Sequence, residues 1–203
     1  LHKEGFKIVP SFPDMVLSLP GTDFTDYLNA RKSKERNSLL RNMRRFEESG
    51  FSVKRVCGEE LRSLSHQMLQ GYHQMYVRAG VKWLRHTAEY FSSLADFGED
   101  VFVDVAFTPK KRLAGYVVSF DDGERLHGGR IGLMPSQHQK NGVYFRLIYR
   151  LIERGYMHQK KEVVLEPTTF KFKRYLGAQY RPLVNLIVGT TPFWAMVCMI
   201  GHR

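Results

Sequence analysis

The chain has 203 residues, of which 43% are hydrophobic and 13% aromatic. That suits one domain with a sizeable core and excludes a disordered chain or a mini-protein held by metal or disulfide staples. With 31 Lys and Arg against 20 Asp and Glu, the net charge is +11. An anionic partner is expected (nucleic acid, cofactor phosphates or a membrane surface), against the alternative of a basic protein with no such partner. Two cysteines, Cys57 and Cys198, are too few for a disulfide framework or a Cys-based zinc site and suit a reducing, cytoplasmic setting. No apolar run approaches the roughly 18 residues of a membrane span, and no leading segment reads as a signal peptide. Leu1–Gly5 reads as an interior start, as if the chain were part of something longer.

In chain order, Met15–Leu19 between two prolines predicts a short strand. Thr22 or Thr25 is placed to cap a short helix ending near Arg31. A second helix is expected from Ser33 to Ser49, with Leu39, Leu40, Met43 and Phe46 as its apolar stripe and Gly50 as its stop. Phe51–Val56 reads as a strand, Glu59 to about Arg78 as a helix, and Ala88–Leu94 as another. Val101–Phe107 alternates as a strand with one apolar side. Leu113–Phe120 returns after a turn, and Arg125–Met134 is a third strand loosened by Gly128 and Gly129. A polar loop, Pro135–Gly142, then opens an amphipathic helix over Val143–Met157. Glu162–Leu165 is a short buried strand, Thr169–Leu176 a short helix ending at Gly177, and Leu183–Val188 a strand. Phe193–Ile200 either closes the sheet, pairs with a second subunit in a homodimer, or belongs to a longer segment. The order predicts an α/β or α+β domain, antiparallel at first with a crossover later.

Four features carry chemistry. Arg31, Lys32, Lys34, Arg36, Arg41, Arg44 and Arg45 crowd one helix, and Lys34, Arg41 and Arg45 share a face that could grip the phosphates of a polyanion. The other reading is a solvated face opposite the apolar stripe. The Pro135–Gly142 loop leads from a strand into a helix, where backbone N–H groups can hold phosphate, with Lys140 adding charge and Gly142 allowing close approach. It matches neither nucleotide-binding glycine pattern, so an ordinary loop is the alternative. Glu166 ends a strand in Leu165-Glu166-Pro167 and is a candidate general base. His127 and His138 flank the third strand without metal-ligand spacing, so no metal is expected.

These pieces in this order resemble the GNAT superfamily of acyltransferases, with Gly129–Met157 and Lys161–Glu166 as the matching stretch. Within it the chain is more similar to the FemAB-like branch, including proteins of the cellulose-biosynthesis acetyltransferase type. Ser33–Gly50 looks like that branch's basic helix, and Leu165–Ala178 looks like its "Y-x-x-K-x-x-x-G-A" ending. The resemblance implies a mixed, mainly antiparallel twisted sheet flanked by helices. Residues 1–56 would be an N-terminal strand and basic helical segment, the end of a preceding half. Residues 57–203 would be the GNAT-like domain.

The implied activity is N-acyl transfer from acetyl-CoA or another acyl-CoA to a small-molecule or peptide amine acceptor. Gln139, Lys140, Asn141, Gly142, Val143 and Tyr144 would cradle donor phosphates. Glu166 would be the base, Lys173 would stabilise the oxyanion, and Tyr175 would protonate the leaving group. The alternatives are aminoacyl transfer from tRNA, with Lys34, Arg41 and Arg45 on the RNA, and a binding module that keeps the fold without the chemistry.

Overall fold

The computed structural model describes residues 6–79, 86–135, 141–165 and 169–188. Nine strands and six α-helices follow one another in that span: β1 (Lys7–Pro10), β2 (Asp14–Ser18), α1 (Phe24–Asn29), α2 (Ser33–Glu48), β3 (Ser52–Val56), α3 (Gly58–Ala79), α4 (Ala88–Ser93), β4 (Val101–Phe107), β5 (Leu113–Asp121), β6 (Leu126–Leu133), α5 (Val143–Met157), β7 (Glu162–Leu165), α6 (Phe170–Tyr175), β8 (Gln179–Arg181) and β9 (Val184–Ile187).

Seven strands form one sheet in the order β3-β4-β5-β6-β7-β2-β8. Every pairing is antiparallel except β6 with β7, the two strands joined through α5. The expected mixed, mainly antiparallel sheet flanked by helices is therefore the architecture found. β2 and β3 both lie within residues 1–56, and both pair with strands that follow them beyond it. β1 and β9 form a separate two-stranded ribbon.

Apolar side chains cover both faces of the middle strands. On one face Phe102, Ala106, Val117, Leu126 and Val163 pack with Leu147, Leu151 and Ile152 of α5 and with Leu39 and Phe46 of α2. On the other, Val103, Val105, Tyr116 and Val118 pack with Met68 and Tyr72 of α3 and Phe91 of α4. β4 was expected to bury one side only. Six of its seven residues are buried because helices lie on both its faces.

Two local expectations are corrected. Asp23, not Thr22 or Thr25, caps α1. Asp23 is extended, and its carboxylate accepts from the Asp26 N–H at 2.9 Å. Leu40 falls off the α2 stripe: Leu39, Met43 and Phe46 follow the i, i+4, i+7 spacing and face the core, whereas Leu40 is exposed.

Candidate functional site

The end of the sheet at β6, β7 and β2 is built differently from the middle. β7 pairs with β6 only from Leu126 to Gly128, opposite Val163 to Leu165. Beyond that point β6 runs on to Leu133 without β7 beside it among the described residues. At the same place β6 bulges. Val117 faces Ile131 and Ser119 faces Gly128, so Gly129 and Arg130 together stand opposite Val118. A Cβ on Gly129 would lie 2.5 Å from the Phe120 ring, so this packing needs glycine there.

On the face opposite α5, these strand ends floor a cleft of about 460 Å³ lined by Asp14 of β2, His127 and Arg130 of β6, Val164 of β7, and His86 and Tyr90 at α4. Its polar groups are oriented. Arg130 Nε donates to His86 Nε2 at 2.7 Å, so that nitrogen accepts and the imidazole is neutral. Burial, then the Arg130 charge, holds the His86 pKa below its ordinary value. The His86 ring stacks on Tyr90 at 4.0 Å and meets Tyr72 at 4.8 Å. His127 Nε2 lies 2.7 Å from Asp122 Oδ2. The Arg125 backbone N–H and then that histidine hold the Asp122 carboxyl down at about 2.

Lys173 stands on the helix that packs against β2, the strand of Asp14. It lies on α6 and is only 3% exposed. Burial pushes its ammonium down to about 8, with the Asp14 charge acting in the opposite direction. Its position is set by the way α6 ends. The Ala178 N–H bonds the Lys173 carbonyl at 3.0 Å and the Gly177 N–H the Arg174 carbonyl at 2.9 Å, a Schellman pair around Gly177 at φ +94°. The Leu176 carbonyl accepts from Tyr27 Oη at 3.0 Å and from Arg31 Nη1 at 3.1 Å, which ties α6 to α1. At the other end of α6, Thr169 Oγ1 shares a hydrogen bond with Tyr144 Oη of α5.

The remaining candidates fall into three places. Glu166, Gln139 and Lys140 lie outside the described residues, as does Phe193–Ile200. Gly142 caps α5 in the left-handed region at φ +69°, Val143 is buried in the core beneath it, and Tyr144 reaches α6. Asn141 precedes this turn and is half-buried. The Tyr175 hydroxyl donates to the Lys34 and Glu35 carbonyls of α2, each at 3.4 Å. It thus anchors α6 to the first turn of the basic helix.

Lys34, Arg41 and Arg45 are exposed on α2. Arg41, Asn42, Arg44, Arg45 and Glu48 line a second concavity of about 500 Å³. Lys34 does not line it, because it stands about 10 Å away along the helix at 1.5 Å per residue. The Asn42 carbonyl lies 3.2 Å from where a Gly142 Cβ would be, and Asn42 Nδ2 donates to Tyr149 Oη at 3.2 Å. The arginine concavity and the start of α5 are therefore neighbours. Among the described residues, no group of three or more His, Cys, Asp and Glu side chains could hold a metal, and no helix is long and apolar enough to cross a membrane.

Asp14, His86 and Arg130 were not anticipated as site residues. Asp14 and Arg130 are brought together by the sheet order, and His86, ahead of α4, reaches them from the helix layer on that face. The local signal was the glycine pair inside a strand, which marks a bulge.

No family model matches this chain, and no curated protein matches it. Solved structures do. FemX superposes with a TM-score of 0.71 at 11% identity, over 97% of this chain and 69% of that one. L-PGS from Bacillus licheniformis gives 0.66 at 11%, over 100% of this chain and 68% of that one. The C-terminal DUF2156 domain of an Agrobacterium fabrum protein, described as a lysylphosphatidylglycerol synthetase, gives 0.66 at 10%, over 98% and 67%. This chain thus spans about two thirds of each, and its fold is GNAT-like.

Proposed function

We propose that this chain is an acyltransferase that moves an acyl or aminoacyl group from a phosphate-bearing carrier to an amine. One observation carries the reading. At the β6–β7 parallel pair, Asp14, His127 and Arg130 line one cleft of about 460 Å³, and buried Lys173 stands on α6 next to β2, the strand that carries Asp14. The names of the FemX and lysylphosphatidylglycerol synthetase structures fit group transfer on this fold.

In the reaction, the neutral amine of the acceptor attacks the donor carbonyl and a C–N bond forms. The oxygen becomes an oxyanion, which the Lys173 ammonium stabilises. The amine proton passes to a carboxylate, Glu166 in the resemblance or Asp14 in the cleft, and from there to the leaving group. As the oxyanion collapses, the bond from the acyl carbon to the carrier breaks, a thioester C–S bond for CoA or an ester C–O bond for tRNA. Asn141, Gly142, Val143 and Tyr144 would hold the donor phosphates, where the start of α5 favours phosphate, and the resemblance adds Gln139 and Lys140 to them.

Acyl-CoA is the first donor to test. Aminoacyl-tRNA is the second reading, favoured by the arginine concavity beside Gly142. The experiment is calorimetric titration with acetyl-CoA and with lysyl-tRNA at low and moderate salt, followed by an amine chase. Saturable binding of one donor, with release of its acyl group to the amine, supports the reading. A chain that binds either donor and discharges neither contradicts it.

A further inference from the structure

We infer that the concavity formed by Arg41, Arg44 and Arg45 on α2 is a phosphate-binding site, continuous with the start of α5, that holds the phosphate-bearing part of the donor. This rests on the transfer reading and names the residues that would select the donor.

The first argument is charge. Arg41, Arg44 and Arg45 make no ion pair or hydrogen bond among the described residues, and Glu48 is the single carboxylate lining the concavity. Arg41 stands at i, i+3 and i, i+4 from Arg44 and Arg45, spacings at which like charges repel, and one carboxylate against three guanidiniums leaves the concavity net positive and open to an anion. The second argument is position. Arginines on a solvated face could stand anywhere, whereas these stand where the Asn42 carbonyl packs against Gly142 at the cap of α5. The third is rigidity. Asn42 is bonded to Tyr149 of α5, and Tyr175 of α6 is bonded to the first turn of α2, so the helix is fixed against both neighbours of the site. Three guanidinium forks on one fixed surface suit phosphate oxygens, which accept two parallel N–H bonds from one arginine.

The same chemistry comes from two sources, the 3′-phosphorylated adenosine diphosphate of CoA or the phosphodiester backbone of tRNA. The test therefore uses two probes, adenosine 3′,5′-bisphosphate and unacylated tRNA, titrated against the full chain over a range of salt. The variants are R41Q/R44Q/R45Q and, as an equal loss of charge elsewhere, K110Q/K111Q/R112Q in the β4–β5 turn. At least one probe is expected to bind the wild type and the turn variant alike. The α2 variant is expected to bind it at least about tenfold more weakly, with a shallower dependence of log K on log salt. Binding of the bisphosphate assigns the site to a CoA-type carrier, and binding of tRNA alone assigns it to RNA. The inference is overturned if neither probe binds, if the α2 variant binds as the wild type does, or if the turn variant loses as much. Circular dichroism of the α2 variant, and single substitutions if the triple one unfolds, keep the comparison valid. A wild type that binds a probe yet never discharges a donor overturns the transfer reading and leaves this site standing.

Discussion

Two helices of this protein each carry a row of three arginines, and the protein treats them in opposite ways. On α5, Arg146, Arg150 and Arg154 stand four residues apart. Arg154 Nε donates to Asp104 Oδ2 at 2.8 Å, Arg150 Nε reaches Asp104 Oδ1 at 3.2 Å, and Arg146 and Arg150 both reach Glu153. Asp104 is fully buried in β4, and Arg154 also lies over the Phe102 ring at 4.4 Å. On α2, Arg41, Arg44 and Arg45 are exposed and carry no such partners among the described residues. The difference separates scaffold from site. The guanidiniums that serve the fold are desolvated and neutralised by carboxylates, Asp104 of β4 for Arg150 and Arg154 and Glu153 of α5 itself for Arg146, because an unpaired buried charge is costly. A guanidinium left in water beside a helix start is available to an outside anion. Through Arg150 and Arg154 the first row clamps α5 to the sheet, and the second stands beside the start of α5, open to such an anion.

The largest effect should come from breaking the clamp. Asp104→Ala leaves Arg154 buried without its carboxylate, and urea unfolding should show a loss of about 3–5 kcal/mol. Removing the α2 row should show no such loss.

Next comes the support of Lys173. Gly177 sits at φ +94°, and an added Cβ would overlap the Arg31 guanidinium. Gly177→Ala should therefore lower stability by about 1–3 kcal/mol in the same assay, whereas Gly123→Ala, also at positive φ but with open space around it, should cost less.

Lys173 itself sharpens the contrast in the opposite direction. Its pKa is depressed in the fold, from 10.5 to about 8. Between those values the unfolded chain holds the proton and the folded chain does not. Stability from this group therefore rises with pH through that window, and the burden of the buried charge is fully present below about pH 8. Lys173→Met should remove that slope from a series of thermal melts between pH 8 and 10.5. Asp104→Asn should leave it in place.

The smallest effect belongs to the α2 row. R41Q/R44Q/R45Q relieves like-charge pairs and should stabilise the fold by a few tenths of a kcal/mol at low salt, an effect that fades as salt is added.

Much of the fold could be read along the chain. Val101–Phe107, Val143–Met157 and Glu162–Leu165 have the expected limits, because strong apolar periods of 2 or 3.6 end there at turn residues or glycine. β1 and β8 escaped because each is only three or four residues long and exists through a distant partner, Ile187 for Lys7 and Met15 for Tyr180. The position of Asp14 was equally hidden. It becomes part of a cleft only because β2 inserts between β7 and β8. Asp104 showed no signal either, since one carboxylate in an apolar strand looks like the wet side of an amphipathic one until Arg154 is found across from it. Lys173 entered through the resemblance of Leu165–Ala178 to a family ending, which says nothing of its burial.

The most direct test of the account is the rate at which the chain discharges a bound acyl donor to an amine, followed from pH 6 to 10 in the wild type and in Lys173→Met. If the Lys173 ammonium holds the oxyanion, the wild-type rate should fall as pH rises through about 8, the value to which burial has pushed that group. The variant should be slower by roughly a hundredfold or more and should lack that fall. An equal rate in the variant, or the same fall through pH 8 without the lysine, would contradict the central claim.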